Sequence, residues 1–295
     1  MKVLVTGAAG FVGSHLALRL ARDGHDVTGL DCYTDYYSRQ AKERNARDLS
    51  DRGVAVLALD LAADDLTHAV DGVDAVYHLA AQPGIAASVP LDTYIRNNIT
   101  ATDRLVRGLE AAGGAAYLIN ASTSSVYGAH ATGDEDTVPK PTSYYGVTKL
   151  AAEQLALASW RAGRLPVCSV RLFSVYGERE RPDKLYPRLI GAIANDRQFP
   201  LHEGSEHHRR SYTYVSDAVE GLVAILAAAR ACAGEIINIG SDREETTARG
   251  IEIVEGLLGK QARISRRPRR PGDQERTCAN IGKARRLLGY EPRTT

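Results

Sequence analysis

Two side chains capable of acid–base chemistry lie four residues apart near the middle of the chain. Tyr145 and Lys149 belong to a segment, 144–149, that the pattern predicts to be helical. Residues at this spacing share one helix face, so the phenol and the ammonium would be neighbours. The ordinary pKa of tyrosine is about 10, and a nearby positive charge favours the phenolate. The pair could therefore accept a proton near neutral pH, although an isolated Tyr-x-x-x-Lys is more often an exposed tyrosine beside a solvated lysine.

A glycine-rich loop near the N-terminus has the position of a phosphate-binding site. It joins a predicted strand to a predicted helix and consists of Gly7, Ala8, Ala9, Gly10, Phe11, Val12 and Gly13. Glycines allow the backbone to approach a pyrophosphate closely, and the first turn of the helix offers unpaired N–H groups and partial positive charge. The loop predicts a dinucleotide site, and the alternative is a glycine-rich turn without a ligand.

The next candidate is an acidic residue at the end of the second predicted strand. Asp31 lies 18 residues after Gly13, where a carboxylate can accept hydrogen bonds from both hydroxyls of an adenosine ribose. It would repel a 2′-phosphate, so this position favours NAD over NADP. A lone aspartate at a strand end is more often a cap or turn residue, but the spacing from the glycines favours the cofactor role.

These residues are placed by a pattern in which short apolar runs alternate with amphipathic stretches. Strands are predicted at Lys2–Thr6, Asp26–Leu30, Val54–Leu59, Ala75–Leu79, Ala116–Asn120 and Val167–Phe173, with helices near 11–23, 92–112 and 143–162. This alternation predicts the α/β class, a doubly wound parallel (Rossmann) sheet formed by residues 1–173.

The alternation of short apolar runs with amphipathic stretches is interrupted after residue 173. Residues 174–295 predict a smaller, mixed α/β domain, with segments near 209–240 returning to the first domain. Helices are predicted near 185–195, 216–230, 247–258 and 280–288, and short strands around Tyr212–Val215, Glu235–Ile239 and Ala262–Ser265.

The composition narrows the class of protein. The chain has 295 residues, 44% of them hydrophobic, and 37 basic against 36 acidic side chains give a net charge of +1, which provides no overall attraction to nucleic acid or membrane. The four cysteines are far apart and show no metal-ligand spacing, so no metal is expected. No signal peptide or membrane span is visible, and a reduced, cytoplasmic protein is expected.

Taken together, the motifs resemble the extended short-chain dehydrogenase/reductase family, in its NAD-dependent nucleotide-sugar epimerase and dehydratase branch. The resemblance spans nearly the whole chain. It depends on the glycine loop, Asp60-Leu61, His78-Leu79-Ala80-Ala81, Asn97-Asn98, the segment 122–128, the segment 145–149, Arg210-Ser211-Tyr212 and Arg270-Pro271-Gly272-Asp273.

The resemblance implies roles for particular residues. Thr123, Tyr145 and Lys149 match the catalytic group, in which Tyr145 takes the proton of the sugar 4-hydroxyl while C4 passes hydride to NAD. The cofactor residues implied are Asp60 and Leu61 beside the adenine, Leu79, Ala80 and Ala81 along the cofactor's path, and Asn98 holding the adjacent loop. The second domain would bind the nucleotide sugar.

The residues after Thr123 bear on the reaction. Related 4,6-dehydratases carry an acidic pair or a glutamate there, and decarboxylases usually have a glutamate at the position of Ser125, whereas this chain has Ser124 and Ser125. These serines favour 4-epimerisation. The alternatives are a 4,6-dehydratase or 4-ketoreductase of the same family and, in another class, a non-catalytic NAD-binding regulator.

The sugar is suggested by residues after the sixth strand. Ser174 and Arg181 occur in a pattern similar to that of UDP-glucuronate 4-epimerases, and Arg181 with Ser124, Ser125 and Ser174 could hold a C6 carboxylate. Two positions depart from that pattern, because Ala86 replaces a common Arg and Lys184 replaces the usual Met. Arg181 could instead pair with Glu178 or Asp183.

Further residues are expected on the nucleotide side of the substrate. The resemblance assigns Arg210 and Arg270 to the diphosphate and uridine, with Asp273 in the same motif as Arg270. The pattern around Ser174 and Arg181, by contrast, favours UDP-glucuronate over UDP-glucose and UDP-galactose. The resemblance also suggests a homodimer paired through the helices near 92–112 and 143–162.

Overall fold

Seven parallel strands form the main sheet of the protein. A computed structural model describes residues 1–84, 89–113, 116–269 and 274–294. The strands of the sheet are β1 (Lys2–Thr6), β2 (Asp26–Asp31), β3 (Ala55–Ala58), β4 (Ala75–His78), β5 (Tyr117–Thr123), β7 (Val167–Leu172) and β12 (Ile236–Ile239). Within the described residues they lie in the order β12-β7-β5-β4-β1-β2-β3. The chain order reverses between β1 and β4, which is where ligands bind in sheets of this kind.

Helices cover both faces of this sheet. The helices are α1 (Phe11–Arg22), α2 (Arg39–Ser50), α3 (Thr67–Val70), α4 (Leu91–Tyr94), α5 (Ala101–Ala111), α6 (Tyr144–Arg161), α7 (Leu185–Ala194), α8 (Val215–Ala227), α9 (Ala229–Cys232), α10 (Thr247–Leu258) and α11 (Gly282–Leu288). Apolar residues of α1 and α8 form one core layer, and those of α3, α5 and α6 form the other. Both faces are thus covered, and the fully buried residues of β4 and β5 fit such a sheet.

The six strands predicted before residue 174 all occur in the main sheet, which confirms the predicted fold class. The helix predicted near 92–112 is divided, because a π-helical segment, Ile95–Thr100, lies between α4 and α5. The strand β12, after residue 173, pairs with β7 and is an edge of the main sheet. The chain therefore returns to the first sheet after contributing to the smaller unit.

The smaller unit has its own core and short strands. These strands are β6 (His130–Ala131), β8 (Val175–Tyr176), β9 (Gln198–His202), β10 (Arg209–Arg210), β11 (Thr213–Tyr214), β13 (Glu245–Thr246), β14 (Arg263–Arg267) and β15 (Arg276–Thr277). Leu189, Ile193, Phe199, Ile251 and Val254 pack together between α7, β9 and α10. Across the described parts of the chain, no helix is long and apolar enough to cross a membrane.

Candidate active site

A cavity of about 850 Å³ lies at the carboxyl ends of the parallel strands and continues into the smaller unit. Its lining includes nearly all of the residues predicted from sequence, namely Gly7, Gly10, Phe11, Val12, Gly13, Asp31, Asp60, Leu61, Leu79, Ala80, Ala81, Thr123, Ser124, Ser125, Tyr145, Lys149, Ser174, Arg181 and Arg210. Residues from strands that are far apart in sequence therefore converge on one cavity. The predicted Arg270 and Asp273, and the departure at Ala86, lie outside the described residues.

The glycine loop makes a tight connection from β1 to α1. Gly7 has φ of +71°, and a Cβ there would lie 2.9 Å from the backbone nitrogen of Ala80. A Cβ on Gly13 would lie 2.2 Å from the carbonyl oxygen of Gly7, so the turn needs glycine at both positions. No side chain caps the start of α1, at Gly10, and its first turn contains no acidic residue. The free N–H groups and the helix dipole fit a pyrophosphate.

Asp31 is buried and holds two neighbouring backbone segments. Its Oδ2 accepts a hydrogen bond from the Ala9 N–H at 3.2 Å, and its Oδ1 accepts one from the Tyr33 N–H at 2.8 Å. Burial raises the pKa of Asp31, an effect that these two hydrogen bonds and the charge of Lys42 partly oppose. The carboxylate therefore supports the glycine loop, in addition to facing the cavity.

The segment after Asp31 contributes residues that the sequence did not reveal. Lys42 of α2 donates to the carbonyl and the hydroxyl of Thr34 at 2.7 and 2.9 Å, and its ammonium lies 4.7 Å from the centre of the Tyr37 ring. Thr34, Tyr37 and Lys42 all line the cavity. Asn45, also on α2, donates to the Ala9 carbonyl at 2.9 Å. This helix thus fixes the outer wall of the glycine loop.

At the end of the cavity where the sequence predicted an adenine, one acidic residue organises the wall. Asp60 accepts a hydrogen bond from Arg96 at 2.6 Å and one from the Ala62 N–H at 2.9 Å. Burial by itself would raise the pKa of Asp60, but the hydrogen bond and charge of Arg96 outweigh it and lower the pKa. Leu61 supplies the apolar surface beside Asp60. The pair forms a place where an adenine could stack on aliphatic carbon.

Asn98 differs from the other predicted cofactor residues, because it is buried and absent from the cavity lining. Its Oδ1 accepts from the Gln82 N–H at 2.7 Å, and its Nδ2 donates to the Thr148 hydroxyl at 3.0 Å. It therefore ties the loop after β4 to helix α6. Its role in this structure is to hold the wall of the cavity.

The three predicted catalytic residues meet at the centre of the cavity. Thr123 ends β5, and Tyr145 and Lys149 lie one turn apart on α6, whose first turn is capped by the Ser143 hydroxyl accepting from Gly146 N–H at 3.1 Å. Burial raises the pKa of Tyr145, while its hydrogen bond with Thr123 and the charge of Arg181 oppose that rise.

Lys149 lies deep in the protein beside a buried ion pair. Burial lowers the pKa of Lys149 to about 8, and the nearby Glu153 carboxylate partly opposes the change. Glu153 in turn accepts two hydrogen bonds from Arg171, at 2.8 and 3.0 Å, and both side chains are almost fully buried. Because Arg171 neutralises Glu153, little of that negative charge remains to hold a proton on Lys149.

Small hydroxyls and one arginine surround the space beyond Thr123, at the end of the cavity where the sequence predicted the sugar; we call this part the sugar end. Ser124 and Ser125 are buried in a 3₁₀ turn directly after β5, and Ser174 follows β7. Arg181, which is also buried, lies close enough to Tyr145 for its charge to affect the phenol. The positions directly after Thr123, where related dehydratases carry carboxylates, are occupied by Ser124 and Ser125.

The guanidinium of Arg181 has a defined environment. Its Nη2 donates to Asp183 at 3.2 Å, while Glu178 instead accepts from the Tyr214 hydroxyl. The centre of the guanidinium lies 5.2 Å from the centre of the Tyr36 ring. Its Nη1 is buried and has no hydrogen-bond partner among the described residues. An unpartnered buried donor of a cation indicates a site for an anionic acceptor.

Other charged residues at this end of the cavity were missed by the sequence analysis. Glu180 lines the cavity, and burial raises its pKa to about 7, although the positive charges of Lys184 and Arg181 oppose the rise. Arg188 and His208 lie further along the lining. Isolated charged residues in a loop usually indicate a solvated surface, so no sequence pattern distinguished these positions. Within the described residues, no group of side chains is arranged to hold a metal ion.

Comparisons with known proteins agree with this geometry. Residues 3–240 match the family described as the NAD dependent epimerase/dehydratase family. A curated relative from Bacillus subtilis (strain 168), called the uncharacterized UDP-glucose epimerase YtcB, is 35% identical over 300 residues, covering 100% of this chain and 94% of its own.

Two solved structures illustrate the range of similar proteins. UDP-glucuronic acid 4-epimerase from Bacillus cereus, in complex with UDP-glucuronic acid and NAD, is 35% identical, with a TM-score of 0.95 and coverage of 100% of this chain and 95% of that chain. DesIV from Streptomyces venezuelae, a dTDP-glucose 4,6-dehydratase with NAD and TYD bound, is 28% identical, with a TM-score of 0.89 and coverage of 100% and 93%.

Proposed function

The chain belongs to the NAD-dependent epimerase/dehydratase family, and we propose that it interconverts UDP-glucuronate with its C4 epimer. The reaction class, a 4-epimerisation of a UDP-sugar with NAD, fits the relatives and the site. The preference for a uronate depends on one observation, the buried and unpartnered Nη1 of Arg181.

The residues of the cofactor half fit NAD. The uncapped start of α1 and the glycine contacts of Gly7 and Gly13 would hold the pyrophosphate, Asp31 the adenosine ribose, and Lys149 the nicotinamide ribose. When bound, NAD supplies a hydride acceptor at the nicotinamide ring and a positive charge near Tyr145. That charge would lower the pKa of Tyr145, against the effect of burial in the protein without a cofactor.

Tyr145 would act as the base for the 4-hydroxyl of the sugar. Thr123 holds the Tyr145 phenol by a hydrogen bond and would also hold the sugar 4-oxygen. Oxidation at C4 would remove the stereocentre, and return of the hydride to the opposite face of C4, with the proton returned to the 4-oxygen, would give the epimer. The protein must therefore hold the nucleotide firmly and let the sugar ring turn, so Arg210 and the positive side chains near it would fix the diphosphate.

Dehydration is disfavoured by the groups near the reacting centre. Ser124 and Ser125 are hydroxyls with ordinary pKa values far above neutrality, so they would neither remove a C5 proton nor protonate a leaving 6-hydroxyl efficiently. The carboxyl of Glu180 is present in the cavity but belongs to the loop that holds Arg181. Both hydroxyls and Ser174 are suited instead to accept and donate hydrogen bonds around a C6 carboxylate.

The test uses UDP-glucuronate and UDP-glucose with catalytic NAD and no added reductant. Proton NMR should show a C4 epimer of UDP-glucuronate, formed in preference to that of UDP-glucose. A charge-assisted hydrogen bond contributes about 1.5–3 kcal/mol, so the preference in kcat/KM should be about tenfold to hundredfold. Arg181→Ala should shrink this ratio, whatever it does to both rates through Tyr145. Equal rates in the wild-type protein would remove the uronate assignment, and a 4-keto-6-deoxy product would remove epimerisation.

The same proposal includes an assembly and a location. Exposed Leu91, Ile95, Val147 and Trp160 lie along α4, the π-helical segment and α6, so we expect two copies to pair through these helices. Light scattering after size-exclusion chromatography should give twice the mass of one chain.

We expect a cytoplasmic location, where NAD is available and the four free cysteines stay reduced.

A further inference from the structure

We infer that Tyr36 is a positioning residue for Arg181 and thereby helps select a uronate substrate. The inference depends on the proposed function, because it assumes that Arg181 receives the C6 carboxylate. Tyr36 lies in the segment between β2 and α2, whereas Arg181 lies in the segment between β8 and α7. The contact between them therefore joins two parts of the cavity wall that are far apart in sequence.

The first step is the packing around the guanidinium. The Tyr36 ring lies against Arg181 at 5.2 Å between the ring centroid and the guanidinium carbon. Gly84, with φ of +88°, lies beside both residues, and a Cβ there would lie 2.9 Å from the Tyr36 hydroxyl and 3.4 Å from the Arg181 Nη2. The three residues thus fill their common space, and a side chain at Gly84 would displace one of the other two.

The second step concerns how weakly Arg181 is held without the ring. Its ion pair with Asp183 uses a single nitrogen at 3.2 Å, and the Asp183 side chain is 45% exposed. Exposed pairs of this type contribute little free energy, and an arginine side chain has considerable rotamer entropy to lose. Asp183 alone is therefore a poor restraint. The aromatic ring supplies a second restraint of a different geometry.

The third step is that the Tyr36 ring and a substrate carboxylate would contact different parts of the Arg181 guanidinium. A cation–π contact uses the face of the guanidinium, whereas hydrogen bonds to a carboxylate lie in its plane. With the face covered by Tyr36 and Nη2 bonded to Asp183, the buried Nη1 remains to meet the substrate. Tyr36 consequently stabilises Arg181 in the position that binds a carboxylate, and it does so before the substrate arrives.

The experiment compares kcat and KM for UDP-glucuronate and UDP-glucose in three variants. Tyr36→Leu removes the ring and should raise KM for UDP-glucuronate about threefold to thirtyfold, the range of a lost cation–π contact. For UDP-glucose, which has no carboxylate, the same variant should keep KM within about twofold. Tyr36→Phe keeps the ring and should retain most of the preference.

The control is Tyr33 in the same segment, whose ring lies 5.9 Å from the guanidinium carbon of Arg39 and is absent from the cavity lining. Tyr33→Leu should change kcat/KM for the two sugars by the same factor and leave their ratio as in the wild type. Should Tyr36→Leu fail to fold, pentafluorophenylalanine at position 36 keeps the size of the ring but reverses its quadrupole, and it should lose the preference that Tyr36→Phe keeps.

The outcomes separate this inference from the proposed function. If the wild-type protein prefers UDP-glucuronate and the Tyr36 variants lower kcat/KM for both sugars by the same factor, the positioning role is wrong and the proposed function stands. If the wild-type protein shows no such preference, the proposed function is wrong and the inference is overturned with it. If Tyr36→Leu lowers kcat/KM for UDP-glucuronate alone and Tyr36→Phe does not, the result supports both the positioning role and the proposed function.

Discussion

The two ends of the cavity are built in different ways. At the cofactor end, Gly7, Gly13 and Asp31 come from one continuous stretch, and backbone groups make most of the contacts, such as the Ala9 N–H donating to the Asp31 carboxylate. At the sugar end, charged and aromatic side chains from separate segments hold one another, as Tyr36 holds Arg181. The first end depends on local chain geometry, and the second on tertiary packing.

This difference has a functional consequence. A change at the cofactor end should alter the binding of NAD and so lower the rate with every sugar by the same factor. A change at the sugar end should alter the ratio between sugars, because in the proposed complex Arg181 would contact the C6 group, the part of the substrate that differs. Thr123, Tyr145 and Lys149 lie at the boundary, where in the proposed reaction the hydride leaves C4 and the proton leaves the oxygen bonded to C4.

The largest expected effect is at that boundary. Tyr145→Phe removes the proton acceptor and should lower turnover about a hundredfold to ten-thousandfold for both sugars, since general base catalysis is worth that much. The measurement is the rate of C4 epimer formation by NMR. Tyr144→Phe is the matched control, because the adjacent Tyr144 side chain is 58% exposed and should leave the rate unchanged. A wild-type rate in Tyr145→Phe would exclude the mechanism.

A smaller effect is expected at the cofactor end. Asp31→Asn replaces the charged group proposed to accept hydrogen bonds from the adenosine ribose. It should raise the dissociation constant for NAD about tenfold, the value of a hydrogen bond to a charged group. It also disturbs the bond from the Ala9 N–H to Oδ2, which would weaken NAD and NADP alike. The informative quantity is therefore the ratio of the two dissociation constants, measured by titration.

That ratio sharpens the comparison of the two ends. With the negative charge gone, NADP should approach NAD in affinity, while the preference between UDP-glucuronate and UDP-glucose stays as in the wild type. Tighter binding of NADP than NAD by the wild-type protein would show that Asp31 does not set the cofactor choice. A changed sugar preference in Asp31→Asn would show that the two ends are coupled.

The cofactor end was also the part that sequence could predict. The spacing of the glycines, the strand before them and the distance to Asp31 are all local, and the strands they imply occur in the main sheet. Helix α2 was missed although it lies beside this end. Its buried positions are occupied by Lys42, Asn45 and Leu49, so two polar residues stand where an amphipathic pattern would show apolar ones.

The sugar end was predicted only in part, for a physical reason. The resemblance placed Ser174 and Arg181 at this end, and both line the cavity. What a single sequence could not show is which charge faces which, since Tyr36 reaches Arg181 across the fold. Glu180 has no sequence feature that distinguishes it from a surface glutamate, and only its burial in the cavity shows that it is unusual.

Glu180 leads to the smallest expected effect, a dependence of sugar preference on pH. Burial raises its pKa to about 7, so the carboxyl is largely neutral below that pH and negative above it. A negative Glu180 beside Arg181 would repel the C6 carboxylate of a uronate and compete for the guanidinium. We therefore expect KM for UDP-glucuronate to increase about threefold as the pH rises through 7, with UDP-glucose unaffected, given the screening of partly exposed charges.

Titration of the neighbouring Lys184 would affect the same KM, and a variant of Glu180 separates the two contributions. Lys184 also lines the cavity, and loss of its positive charge at high pH would weaken uronate binding in the same direction. Glu180→Gln removes the first titration and keeps the second. If the pH dependence of KM persists unchanged in Glu180→Gln, Lys184 or the substrate site as a whole is responsible. If it disappears, Glu180 is the titrating group, and lowering the pH strengthens selection for the uronate because a neutral Glu180 leaves Arg181 to the substrate.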